Sequence, residues 1–124
     1  MLRTLLILSI VFISSCSENP EIREGPFEAI KLKTYLDQKS NRWFEVVSAI
    51  DQPLKSAVLA DIEERKIVWS VRFLPDFESS KFAYADANGI AFVRQPPVPL
   101  VKGRKYYLTV YSGLQRQGHL SFTH

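Results

Sequence analysis

The chain has 124 residues, 46% of them hydrophobic and 23% charged, which is enough for one globular domain and too apolar for a disordered one. The formal net charge is +3, and Arg3 is the only charged residue before Cys16. Charges of both signs are interspersed, with Lys102, Arg104 and Lys105 the densest basic cluster, so the single basic surface of a nucleic-acid binder is missing.

The N-terminus has three parts. Arg3 gives a positive start, Leu5–Ile13 is an apolar run broken only by Ser9, and Ser14 and Ser15 lead to Cys16. This is the layout of a secretory signal. Nine helical residues span about 14 Å at 1.5 Å per residue, whereas a bilayer core is about 30 Å thick. The run is too short for an ordinary membrane span. Cys16 is the only cysteine, so an intramolecular disulfide is excluded and the residue needs another role.

Residues 17–26 (Ser-Glu-Asn-Pro-Glu-Ile-Arg-Glu-Gly-Pro) are polar and broken by Pro20, Gly25 and Pro26, and they read as a flexible tether. Extended, they reach at most about 35 Å.

From Phe27 to His124 the dominant period is two. Candidate strands are Glu28–Leu36, Arg42–Ala49, Lys55–Ala60, Arg65–Leu74, Lys81–Ala85, Gly89–Arg94, Arg104–Ser112 and Gly118–Thr123. In the fourth, Ile67, Trp69, Val71 and Phe73 share one face, and Val68, Ser70, Arg72 and Leu74 the other. Leu54–Arg65 also admits a helix, with Leu54, Val58 and Ile62 on one side. Asn88-Gly89 predicts a tight hairpin, since both residues tolerate positive φ. Pro96, Pro97 and Pro99 confine their segment to an extended connection or an edge, because proline lacks the ladder donor. Lys102-Gly103 turns the chain into the tyrosine-rich strand, and Gly113 to Gly118 bounds a last hairpin. The expected fold is all-β, a small antiparallel β-sandwich, with a small β-barrel as the alternative. Trp43, Phe44, Trp69, Phe73, Phe92 and Phe122 are the expected core.

Catalytic and metal signatures are missing. His119 and His124 have no helical His partner or Cys cluster. No Gly-x-Ser-x-Gly elbow, phosphate loop or dinucleotide fingerprint occurs. Asp61, Glu63, Glu64, Asp76, Glu78 and Asp86 fall in charge-mixed, turn-like segments expected to be solvated. The expectation is a protein that is not an enzyme, with no cofactor and no metal. Tyr107 and Tyr111 share a face of one strand, and with Arg72 they form the candidate interaction patch.

Two resemblances sharpen this reading. Ile13-Ser14-Ser15-Cys16 resembles the lipobox of bacterial lipoproteins: an aliphatic residue, two small ones, then cysteine. The resemblance covers the leader and Cys16. It implies a cleaved signal peptide 1–15, lipid on the Cys16 thiol, and a membrane-anchored protein of the bacterial cell envelope. Two or more acyl chains suffice for stable anchoring. Ser17 resembles the residue that leaves such proteins to the outer membrane, on its periplasmic face; the inner membrane is the alternative. The stretch Leu100 to Val110, a leucine, a Gly103 turn and then Tyr-x-Leu-x-Val, resembles immunoglobulin- and fibronectin-like sandwiches. The mature domain is thus similar to small β-sandwich lipoproteins of the envelope. The expected function is a protein-interaction or assembly module with an envelope protein as partner and no nucleic acid. The alternatives are an immunity- or inhibitor-type periplasmic lipoprotein and a small ligand-binding or hydrolytic domain.

Overall fold

The computed structural model describes residues 29–50, 52–113 and 116–124. The leader 1–15, Cys16, Ser17, the tether 17–26 and the start of the first expected strand lie outside the described residues. Eight strands follow: β1 (Leu32–Leu36), β2 (Arg42–Val46), β3 (Leu54–Asp61), β4 (Lys66–Phe73), β5 (Lys81–Ala83), β6 (Ala91–Gln95), β7 (Lys105–Ser112) and β8 (Gln117–Thr123). They form two antiparallel sheets, β1-β2-β5 and β6-β4-β3-β7-β8, around one core. The arrangement is all-β, sandwich-like and open at its edges, not a closed barrel.

Leu54–Arg65 is a strand and a turn, not a helix. Leu54, Ala57, Leu59 and Asp61 are buried in β3, and Ile62 is exposed. A helix would have needed Ile62 in the core beside Val58. Among the described residues no helix is long and apolar enough to cross a membrane.

The two-residue period fails at one point in β4. Leu59 pairs with Trp69, but the next residue, Ala60, pairs with Ile67, so Val68 is an extra residue. This bulge reverses the facing of the strand. Trp69, Val71 and Phe73 point into the core as expected, whereas Ile67 is 50% exposed and Val68 is buried in its place.

Aromatic rings fill the space between the sheets. Phe82 of β5 meets Phe44 at 5.5 Å, Trp69 at 6.2 Å and Phe73 at 5.1 Å between ring centroids. Phe73 stacks on Phe77, and Tyr84 packs edge-on against Trp69. Of the expected core, Phe44, Trp69 and Phe73 are buried and Phe122 packs against them. Trp43 faces outward and is only half-buried; its Nε1 donates to Asp37 Oδ2 (2.9 Å). Phe92 is not in the core at all: it pairs with the exposed Arg72, so it lies on the outer face of the larger sheet and is 63% exposed.

The turns have local causes. Asp37 closes the β1–β2 hairpin by accepting from the Lys39 and Asn41 backbone as well as from Trp43. Donation from Trp43 and then from Asn41 holds its carboxyl down at about 2. Gly103 has the positive φ (85°) expected of the Lys102-Gly103 turn. Gly89 also has positive φ (75°), but Asn88-Gly89 closes no hairpin. β5 and β6 belong to different sheets, and residues 84–90 carry the chain from one to the other.

The first described segment joins the larger sheet through a parallel bridge between Ile30 and Gly118, with the Ile30 N–H donating to the Gln117 carbonyl at 2.9 Å. A Cβ at position 118 would lie 2.6 Å from the Ile30 carbonyl oxygen, a backbone atom with little room to move. At position 113 a Cβ would lie 2.9 Å from Gln52 Cβ and Cγ, atoms held close to the backbone, so this position is tight as well. Gly118→Ala is therefore expected to destabilise the domain by about 1–3 kcal/mol. Gly113→Ala should also destabilise, but by less, because the atoms it meets belong to an exposed side chain and not to backbone. Urea unfolding of the two variants checks the order.

Candidate functional site

The outer face of the larger sheet collects the residues of interest. Cross-strand pairing sets Phe92, Arg72, Ser56 and Tyr111 in one row across β6, β4, β3 and β7. A second row runs Ile67, Ala60, Tyr107 and Ser121. Between them Val58, Thr109 and His119 are aligned. Arg72, Tyr107 and Tyr111 thus lie on one face. Two strand spacings of about 4.8 Å separate Arg72 from Tyr111. Tyr107 stacks on His119, with centroids 5.5 Å apart and planes 16° apart, and Thr109 Oγ1 is 3.3 Å from His119 Nδ1.

At the Arg72 end this face opens into a groove of about 350 Å³. Leu54, Pro53, Leu74, Pro75 and Phe92 give it apolar walls, and Lys55 and Arg72 bring two cations to it. Lys55, Arg72 and Arg94 are exposed and form no salt bridge among the described residues.

Residues that could carry other chemistry are spent on structure. Asp61 is buried, at 3% exposure, contrary to the expected solvated position. Its Oδ1 accepts from the backbone N–H of Glu63 (2.9 Å) and Glu64 (3.0 Å), and its Oδ2 from Arg104 (3.0 Å). Burial alone would raise its pKa, but the turn N–H groups and the Arg104 guanidinium outweigh that and hold it below the usual carboxylate value. Glu64 bridges Lys66 (2.8 Å) and Arg104 (2.7 Å), and both cations lower its pKa. Both carboxylates are thus ionised partners of cations, the opposite of an acid–base pair, which needs its two pKa values driven apart.

The second histidine is not free-standing. His124 Nδ1 is 3.1 Å from Arg42 Nη2, and its backbone N–H donates to the Arg104 carbonyl. Burial and then the Arg42 charge lower its pKa. Arg42 itself is buried, lies over the Phe122 ring at 4.8 Å and donates to Thr34 Oγ1. Among the described residues no group of three or more His, Cys, Asp or Glu could hold a metal ion.

The sequence reading missed Phe92, Ile67, Lys55 and the groove. The available signal for Phe92 was Pro96-Pro97 immediately after its strand, which marks an edge where an aromatic need not be covered. No protein-family model matches the chain, and comparison with curated proteins and with solved structures finds no match.

The Asp61–Arg104–Glu64 cluster makes stability depend on acid. Folded pKa values below the unfolded ones mean that the folded state binds fewer protons. The stabilisation is complete above the unfolded values, near 3.9 for Asp and 4.3 for Glu. It is lost as pH falls through the folded values. The urea midpoint should therefore drop steadily from about pH 4 downward. Asp61→Asn should lower the midpoint at neutral pH and flatten that drop; an unchanged acid limb would show that the cluster is not its source.

Proposed function

We propose that the protein is a lipid-anchored, non-enzymatic interaction module of the bacterial cell envelope. On this reading lipid on Cys16 holds the domain at a membrane, with Ser17 favouring the periplasmic face of the outer membrane. The domain then presents the outer face of its larger sheet to an envelope protein. One observation carries the proposal: Tyr111, Tyr107, Phe92 and Ile67 stand exposed on a single sheet face beside an Arg72 without an ion pair among the described residues. Aromatic residues and arginine are the types enriched where proteins meet.

The sandwich is read further as immunoglobulin- or fibronectin-like. Strands 1, 2 and 5 form one sheet, and strands 3, 7 and 8 are neighbours in the other, as A, B, E and C, F, G are in those folds. The Tyr106 hydroxyl accepts from the Val101 N–H at 2.8 Å, five residues upstream at the start of the strand, which supports a tyrosine corner. β4 then takes the place of an added strand beside C, and β6 extends that edge. Such scaffolds serve many functions, so the fold supports the reading only by offering a broad exposed sheet.

The anchor and the face are tested separately. Intact-mass analysis of protein extracted from membranes should find a chain beginning at Cys16 and carrying acyl groups. Cys16→Ala should leave an uncleaved or mislocalised protein, and an unmodified residue 16 in the parent would end the lipoprotein reading. For the face, benzoylphenylalanine in place of Tyr111 or Phe92 should give a discrete crosslinked adduct in intact cells. The same group in place of Lys33 or Lys39, on the other side of the domain, should not. Equal adducts from all four positions, or none from the first two, would remove the interaction face.

A further inference from the structure

We propose that β6 is a receiving edge for an extended acidic segment of a partner protein, which adds to the larger sheet as a further strand and seats an apolar side chain in the groove beside Phe92. The inference rests on the interaction-module reading and names its partner chemistry.

The backbone is set for strand addition. The Leu74 N–H donates to the Ile90 carbonyl at 2.9 Å, which fixes the phase of the ladder between β4 and β6. The Ile90 carbonyl and the peptide groups of Phe92 face β4, and Ala91 and Val93 turn theirs away. The Ala91 N–H is satisfied by Ala87, leaving the Ala91 carbonyl and both groups of Val93 as the open edge. No other strand pairs with this side among the described residues. Arg94 is the bulged residue between the pairs Val71–Val93 and Ser70–Gln95, and Pro96 and Pro97 end the edge. The landing strip is therefore short and has a defined register.

Its side chains are unlike those of a protected edge. Phe92 is 63% and Val93 48% exposed, on opposite faces of the same strand. An incoming strand would cover both. The groove lies at the low end of the roughly 300–1,000 Å³ range of ligand pockets and suits a side chain better than a large molecule.

Charge selects the occupant. Lys55, Arg72 and Arg94 surround the edge and the groove, and among the described residues neither the groove lining nor β6 contains an Asp or Glu. Asp76, next in the chain to the lining Pro75, forms no ion pair with them. An acidic segment answers at once three cations that have no ion pair among the described residues, and carboxylates meet arginine in the strongest of the charge-assisted hydrogen bonds. A second copy of this chain would instead bring Arg72 and Arg94 against their own equivalents, a like-charge cost that disfavours self-pairing.

The test uses the full-length protein in detergent micelles and a labelled seven-residue peptide alternating Asp or Glu with Val and Phe. Fluorescence anisotropy should show saturable binding. A peptide with Lys at the acidic positions should bind at least about tenfold more weakly, as should the acidic peptide N-methylated at alternate residues, which lacks the donors of one edge. Arg72→Glu should weaken binding to a similar degree. Val93→Pro is the sharpest variant, because it removes an outward N–H without touching the β4 ladder. It should abolish binding while leaving the thermal unfolding curve unchanged. Lys39→Ala, on the other side of the domain, should bind like the parent. Absence of binding, equal binding of the Lys peptide, or full binding by Val93→Pro overturns the proposal. So does self-association that Val93→Pro abolishes, which would make a second copy the occupant. If crosslinking from Tyr111 survives while the peptide fails, the edge assignment falls and the interaction face stands.

Discussion

Phe82 ties the two sheets together. It sits on β5, a strand of only three residues, yet its ring touches Phe44 on its own sheet and both Trp69 and Phe73 on the other. The domain has no cysteine with which to staple its layers. Hydrophobic contact across the core must supply what a disulfide provides in many exported domains of this size. A cluster of four rings buries a large apolar area in few residues, and tilted pairs add a little beyond area alone. Even so, the buried Trp69 indole N–H and the Arg42 Nε find no acceptor among the described residues, so shape in this core is bought with two unmet hydrogen bonds.

The same economy creates the exposed surface. Three strands face five, and among the described residues the ring contacts between the sheets run to Trp69 and Phe73 of β4 and to Phe122 of β8, with none to β6. Among the described residues no layer opposes Val93 on the inner side, where it is 48% exposed, and no element covers Phe92 on the outer side. The exposed edge and the aromatic face follow from unequal sheets. A closed barrel of the same strands would have no edge to offer.

Much of this was legible in the chain because alternation is a local signal. All eight strands were marked by period-two patterning and by turn residues, and Tyr107, Tyr111 and Arg72 could be set on faces by counting. Counting failed wherever a distant neighbour decided the outcome. The bulge at Val68 depends on how β3 pairs with β4, so Ile67 could not be placed outward from its own strand. Asn88-Gly89 has hairpin chemistry, but the chain crosses between sheets there because β5 pairs with β2 and β6 with β4. Asp61 looked solvated because its cation, Arg104, is far away in sequence. The groove is assembled from β3, the end of β4, β6 and the end of β7, and no stretch of sequence contains it.

An uncovered apolar edge is a hazard for any domain, since it can pair with its own copies. Here it carries three restraints that act on self-pairing and not on every partner. Pro96 and Pro97 stop the edge after a few residues, the bulge at Arg94 breaks its regular spacing, and the flanking cations repel an identical edge. A domain that only had to keep the edge inert could have replaced Phe92 and Val93 with polar residues at little cost to a core they do not enter. Large apolar side chains kept beside repulsive charge suit selective pairing: a surface disfavouring its own kind and favouring an extended strand of opposite charge.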